Sequence, residues 1–558
     1  MAPEPSSQLR RSLGLRSLTL AVVTSTIGSG WLFAPFYAAR AAGSASLLAW
    51  LLGGALALAL ALVFAELGAL VSSSGALAQI PLLSHGRSAG FIGGWCAWIA
   101  YVSLPTIEVL AMLQYLASSL PWLTADGGAG QVLSGAGLVV AALLLLAMAW
   151  INLAGITWLA RWIEGLTAWK LVVPLLVALT LMLTAGHWGN LAVPLVDVAT
   201  AVAGTAGSSA AGSGAAGSGA AASGVVGAIG AGGILFSLLG FRTAMDLAGE
   251  ARRPQRDVPL AMALGLGISL AIYLVLQLAF LVAVPPELLA GGWAQLRLTA
   301  HGGPLVAIAL GLGLGWVVTL LLSDAVISPG ATGLTYLGVS ARVGWMMGRC
   351  GLLPAGLGRL NRQAVPAVAL LCSLAIGLLL LLGGPSWQRV VSFLTATLVI
   401  ALAMGPVSLL ALRRQLPEEP RAFRLPWAEL WCPLTFVAAS WAILWCGRSA
   451  LEGAVALVLG PALLFNLVQW RRGRPLQARS GAWWWLYLGG LLAISELIGP
   501  GRPLAWSGGG QAAVVAAFAL AVFPVALATR LPQISADARV ELHSAAASPT
   551  ADTSRLRR

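Results

Sequence analysis

Long apolar stretches separated by short polar ones recur along the whole chain, and their length fixes what they form. A helix needs about 20 apolar residues to cross the hydrocarbon core of a bilayer. Fourteen stretches meet that need: residues 17–39, 45–71, 89–118, 133–154, 162–185, 225–247, 259–284, 304–328, 365–383, 388–411, 428–447, 453–470, 482–499 and 511–529. We number them spans 1 to 14. The pattern predicts an all-α polytopic membrane protein. Two spans are interrupted. Span 1 carries Thr24-Ser25-Thr26-Ile27-Gly28-Ser29-Gly30-Trp31 at mid-membrane, and span 6 carries Gly230-Ala231-Gly232-Gly233 ahead of Ile234-Leu235-Phe236-Ser237-Leu238-Leu239-Gly240-Phe241-Arg242. Each glycine costs a helix about 1 kcal/mol and lets the backbone leave its ladder. Non-helical backbone at membrane depth is tolerated where it lines a cavity, so paired breaks at corresponding positions of two halves point to a substrate site. Close helix packing through small residues is the other reading of such glycines.

Composition agrees with the pattern. Hydrophobic residues make up 59% of the chain, charged residues 9%, and the mean hydropathy is +0.88, which excludes a soluble globular domain. The arginines set the topology. With the N-terminus in the cytoplasm, Arg10, Arg11, Arg16, Arg87, Arg161, the clusters 252–256, 342–362, 413–424 and 471–479, and the C-terminal arginines fall inside; only Arg40, Arg297, Arg389, Arg448 and Arg502 fall outside. The net charge of +13 therefore reads as topology and contact with anionic lipid, and no basic soluble module exists to bind nucleic acid. Five cysteines and four histidines show no ligand spacing, so no metal or cofactor is expected. Arg10-Arg11 before an apolar run imitates a secretory signal, but Gly28 and Gly30 interrupt that run and many spans follow, so the first helix is expected to be retained.

Lysine occurs once, at Lys170, inside span 5, among 32 basic residues. Lysine differs from arginine in being able to give up its proton. A charge at membrane depth is functional by default; the bland reading is a leftover basic residue. Two further deep charges stand out. Glu108 in span 3 is either a proton-carrying acid or contact for a cationic substrate, or a protonated packing residue. Glu66 at the inner end of span 2 reads as structural, and Asp324 in span 8 lies between the two.

The span 1 run, the stretch Gly240-Phe241-Arg242 through Glu250-Ala251-Arg252-Arg253-Pro254-Gln255-Arg256, and Arg413-Arg414-Gln415-Leu416-Pro417 with Pro420 to Pro426 resemble the amino acid-polyamine-organocation permeases over residues 17 to about 470. The resemblance implies a five-plus-five inverted-repeat core with broken helices 1 and 6, about four further helices, and secondary active transport of amino acids by alternating access. It also implies that Ile27, Gly28, Ser29 and Gly30 form a carboxylate-binding turn, while Phe236, Ser237 and Leu239 form the amine-binding and side-chain-facing break. Half-helix N-termini offer N–H groups to an anion and half-helix C-termini offer carbonyls to an ammonium. In proton-coupled members a span 5 lysine stands where sodium-coupled relatives hold a cation between spans 1 and 8. Lys170 follows Asn152-Leu153-Ala154-Gly155 in that way, with Ser328 and Thr332 as its expected span 8 neighbours. The family's usual acid after Gly-Phe is replaced by Arg242, and this version is similar to the aspartate:proton symporter branch. Arg242 then has two readings: a partner for a substrate side-chain carboxylate, or an ion pair with Asp246 or Glu250.

The expected organisation is a cytoplasmic segment 1–16 and a transport core 17–413, with repeats 17–185 and 225–413. A flexible external segment 186–224, rich in Gly, Ser and Ala, joins the repeats. Accessory helices 428–529 and a cytoplasmic tail 531–558 follow. The expected function is import of amino acids with protons across the plasma (bacterial inner) membrane, driven by the proton gradient without a cofactor, with acidic substrates such as aspartate if Arg242 faces the site. An amino acid exchanger of the same fold is the alternative. A polytopic membrane enzyme is more remote, because it would need clustered His, Asp or Glu at an interface.

Overall fold

A computed structural model of the chain describes residues 13–71, 75–126, 131–154, 156–193, 223–298, 302–361, 363, 365–382, 386–419, 421, 423–473, 478–498, 504 and 508–534. Most of segment 1–16, the Gly/Ser/Ala run of the 186–224 segment and the tail beyond 534 lie outside the described residues. Each of the fourteen apolar stretches contains a helix or two half-helices. Nine helices among the described residues are long and apolar enough to cross a membrane, or ten if the bent pair Ser223–Ile229 and Ile234–Asp246 is one span. Spans 5 and 9 present shorter apolar helices, Ala168–Thr184 and Ala367–Leu381. One element has no counterpart in the all-helical reading. Strands Thr124–Asp126 and Gln131–Leu133 pair antiparallel between spans 3 and 4, with Thr124 opposite Leu133.

Span 1 is two helices, Leu15–Thr26 and Gly30–Ala42. The first one ends where hydroxyls turn back on their own backbone: Ser25 Oγ and Thr26 Oγ1 both donate to the Val22 carbonyl, at 2.9 and 2.7 Å. Such local bonds offer the chain an alternative to the helical ladder. Ile27 then leaves helical geometry at φ −90°, ψ 89°. Span 6 breaks at Gly233, whose φ of 88° favours glycine, and its two parts bend by 44°.

Span 3 packs against span 8 and span 2 against span 7. These are corresponding members of the two five-helix halves, as an inverted repeat requires. Spans 3 (Arg87–Leu116) and 10 (Trp387–Gln415) are almost wholly buried, whereas span 4 (Gly135–Leu153) turns Val139, Leu143, Leu146 and Trp150 outward. The centre therefore lies among spans 1, 3, 6, 8 and 10, and span 4 belongs to the apolar rim. Ahead of span 1, Leu13 pairs with the stretch after span 6, its amide donating to Glu250 O at 3.0 Å and its carbonyl accepting from Arg252 N at 2.8 Å.

Candidate functional site

The two breaks cross at the centre. Gly240 of span 6 lies so close to Thr26 of span 1 that a Cβ there would meet the Thr26 backbone at 2.8 Å. Thr243 Oγ1 donates to Ser25 Oγ at 2.8 Å, and Tyr273 Oη of span 7 donates to Thr26 O at 2.9 Å. Around the crossing is a cavity of about 10 Å³, at the threshold for one water. Gly28, Glu108, Phe236 and Arg242 line it, with Ser25, Thr26, Leu104, Tyr336, Leu394 and Leu398. The conformation is closed.

Not every expected residue lines that space. Ile27 and Leu239 are buried beside it, and Ser237 Oγ is committed to Gly233 O at 2.8 Å. Gly30 faces Ser237 and Tyr273, leaving no room for a Cβ. Ser29 turns its amide to Glu108 Oε2 at 2.7 Å and its hydroxyl to Trp387 Nε1 at 3.0 Å. The amide at the start of the second half-helix is thus already matched with a carboxylate supplied by span 3.

Lys170 is fully buried. Its Nζ donates to Thr24 O at 2.7 Å and to Thr332 Oγ1 at 2.6 Å, which ties span 5 to the first half of span 1 and to span 8. Thr332 Oγ1 in turn faces the carbonyls of Thr24 at 3.1 Å and Ile27 at 3.4 Å. Ser328, the other expected neighbour, does not take part. It lies one helical turn away, and its hydroxyl donates to Asp324 at 2.6 Å. Glu108 and Asp324 are the carboxylates within electrostatic reach of the ammonium.

Arg242 lines the cavity beside Tyr336. Its Nε donates to Tyr101 Oη at 2.9 Å, its Nη1 to Leu239 O, and its guanidinium lies 4.7 Å over the Tyr101 ring and 5.5 Å over the Tyr336 ring. Among the described residues it has no direct ion pair with Asp246 or Glu250. Tyr101 intervenes, donating to Asp246 Oδ2 at 2.6 Å, and Glu250 pairs with Arg342 at 3.0 Å.

An aromatic cluster around Trp387 packs against Phe236 of the cavity wall. The Trp387 ring stacks on Phe33 and Tyr37 at 4.9 and 5.6 Å and meets Phe236 edge-on at 5.9 Å. Sequence reasoning missed Trp387, Tyr101 and Tyr336. In a chain with 23 tryptophans no single indole carries a signal. Glu66 lies apart from this site. It accepts from Arg413 Nη2 at 2.6 Å, Arg421 Nη1 at 3.0 Å and the Leu425 amide at 2.7 Å, which ties these three residues to the end of span 2.

Comparison with known proteins completes the picture. The profile of the family described as amino acid permease matches residues 13–461. The glutamate/serine transporter AimA of Bacillus subtilis (strain 168) is 31% identical over 501 residues, 88% of this chain and 88% of that one. The aspartate-proton symporter of the same organism is 30% identical over 88% of this chain and 90% of its own. Among solved structures, a mutant of the Eremococcus coleocola manganese transporter superposes with a TM-score of 0.52 at 16% identity, covering 86% of this chain and 94% of that chain, which is a likeness of fold alone. On the family profile and these relatives, the chain belongs to the amino acid permease family of membrane transporters.

Proposed function

We propose that this transporter is a symporter that imports amino acids together with protons by alternating access, and that acidic amino acids such as aspartate are its favoured substrates. It is not an enzyme. In this reading it takes no cofactor, draws its energy from the proton gradient, keeps both termini in the cytoplasm, and works through a transport core of residues 17–413 with 428–529 as accessory helices.

The observation that carries the proposal is the placement of Lys170. A protonated amine has three donors and no acceptor. Two of those donors hold Thr24 O and Thr332 Oγ1, so the charged form clamps the first half of span 1 to spans 5 and 8. The neutral amine holds them less strongly, because bonds from a charged donor are roughly twice as strong. Loss of one proton thus releases a half-helix.

Substrate recognition follows from the same geometry. A substrate carboxylate seeking the Ser29 amide competes with Glu108 for it, so binding frees an acid able to take a proton. A side-chain carboxylate then reaches toward Arg242 in the cavity wall. Because the closed cavity has room for about one water, the Trp387 cluster or the Arg242–Tyr101 contact must open for substrate to pass.

Reconstituted vesicles, an imposed pH gradient and a panel of labelled amino acids test this. Gradient-driven accumulation of aspartate or glutamate, with weaker uptake of neutral and cationic amino acids, is expected. One-for-one exchange that ignores the gradient would replace symport by exchange, and equal uptake of neutral and acidic amino acids would remove the role given to Arg242.

A further inference from the structure

Asp324 is a fully buried carboxylate of span 8 to which the reading above gives no task. Its oxygens accept three hydrogen bonds from three elements: Trp31 Nε1 of the second half of span 1 at 3.0 Å, Trp169 Nε1 of span 5 at 2.7 Å, and Ser328 Oγ of its own helix at 2.6 Å. An indole N–H is a donor only. A pair of indoles converging on one carboxyl group, with a hydroxyl added, is a donor set suited to an anion.

The neighbours of this clasp are informative. Trp169 precedes Lys170 in the chain, and Thr332, the span 8 partner of Lys170, lies two helical turns from Asp324 with Ser328 between. The two charged groups straddle the break in span 1. Lys170 holds the Thr24 carbonyl near the end of the first half-helix, and Asp324 holds Trp31 near the start of the second one. The titratable groups facing Asp324 are Lys170 from span 5 and Tyr115 from span 3, and Glu108 of span 3 acts on the same ammonium.

We infer that Asp324 is a positioning residue that transmits the charge state of Lys170 to the second half of span 1 through the Trp31 and Trp169 indoles. With Lys170 protonated, its charge offsets that of the buried carboxylate, and the carboxylate draws both indoles inward. With Lys170 neutral, the anion loses that compensation in a low-dielectric site. The uncompensated carboxylate takes up a proton, and because a neutral carboxyl accepts the indole N–H groups less strongly than an anion does, the clasp on Trp31 loosens and the second half-helix is released in step with the first. The inference rests on the proton-coupled reading.

The test uses the full-length protein in vesicles and compares two assays of labelled aspartate: counterflow without a pH gradient, and accumulation driven by an imposed gradient across a range of external pH. Asp324→Asn keeps the shape and removes the charge. It is expected to keep counterflow within about twofold while losing about tenfold or more in accumulation, with a flattened dependence on external pH. Trp169→Phe removes one donor and leaves the acid, and should shift accumulation in the same direction by less. Counterflow and accumulation falling equally in both variants would assign Asp324 to packing and overturn the inference. So would an Asp324→Asn protein that follows the gradient with wild-type steepness. A wild type that ignores the gradient would overturn proton coupling itself, which distinguishes the two failures.

Discussion

The Glu108 carboxylate accepts the Ser29 amide at 2.7 Å, so an acid from span 3 sits on the N–H at the start of the second half of span 1. A helix N-terminus with free N–H groups is a ready anion site. In the closed conformation that site is filled from within the protein, by a side chain that also acts electrostatically on Lys170.

Replacing Glu108 by Gln removes the competing charge and keeps the shape. Substrate should then meet less competition at the Ser29 amide, tightening about fivefold if roughly 1 kcal/mol of competition is relieved. Gradient-driven uptake should fall at the same time. Binding of labelled aspartate to purified protein, set beside uptake in vesicles, checks both. Weaker binding in Glu108→Gln would make Glu108 a direct contact for substrate rather than its rival.

A Cβ at Gly28 would force the Glu108 and Thr332 side chains to shift. A Cβ there would lie 2.7 Å from Glu108 Oε1 and 2.9 Å from Thr332 Oγ1, and at Gly30 it would run into Ser237 Oγ and stand 3.0 Å from Tyr273 Oη. Gly28→Val and Gly30→Val are expected to insert and stay monodisperse in detergent yet show no measurable substrate binding. Binding within about threefold of wild type in both would reassign these glycines to helix packing.

How much of this is legible in the chain depends on whether a feature is local. The spans are legible because each is a contiguous apolar run, and the breaks because glycines and hydroxyls at 24–30 and 230–240 interrupt such runs. The depth of Lys170 is a matter of counting residues. Contacts between distant elements are not legible. Nothing in the sequence joins Asp324 to Trp31, 293 positions away, or Tyr101 to Asp246. Ser328 and Thr332 are equivalent by spacing and differ only because Asp324 captures the first hydroxyl. Arg242 illustrates the limit most plainly: its neighbours at one and two helical turns suggest an ion pair, but span 6 is not a regular helix there, and Tyr101 of span 3 enters between Arg242 and Asp246.

His85 provides a pH dependence outside the membrane. It lies in the loop helix Ala76–His85, with Nε2 against Ala526 O at 3.0 Å and Nδ1 against Ser84 Oγ at 2.9 Å, so it pins the end of span 14 to that helix. Burial pushes its imidazole down to about 4, the Ala526 bond opposes that shift, and the Arg530 charge adds to it. Between that value and the ordinary 6.5 the undocked state binds more protons than the docked one. Docking is therefore fully stable above about pH 6.5 and weakens as pH falls toward 4, by up to about 3 kcal/mol. Thermal unfolding of the purified protein should show a loss of stability from pH 7.5 to 5 that His85→Gln reduces. Identical slopes in both proteins would remove His85 from the acid response.

Arg242 lines the cavity with its guanidinium held by Tyr101 Oη, Leu239 O and two ring faces, without a direct ion pair among the described residues. If it reads a side-chain carboxylate, Arg242→Ala should lose affinity for aspartate and glutamate selectively, by about 2 kcal/mol or more, while serine binding changes little. Competition assays against one labelled substrate measure the ratio directly. Parallel losses for acidic and neutral substrates would place Arg242 in the closure of the cavity alone.

Lys170→Arg isolates the proton from the charge. The substitution keeps a cation able to reach Thr24 O and Thr332 Oγ1, but a guanidinium does not release its proton under any physiological condition. If the cycle requires Lys170 to become neutral, the Arg variant stays clamped, and an inward proton gradient should no longer concentrate substrate. Lys170→Ala has the opposite defect. It cannot clamp at all, so it should retain at most exchange that ignores the gradient. Paired measurements of accumulation and counterflow in vesicles separate the cases, because a merely structural lysine would lower both together. Accumulation by Lys170→Arg that still follows the imposed gradient with wild-type steepness would show that the proton travels by another group, and Glu108, on the Ser29 amide one residue from Gly28, is the group that geometry then leaves.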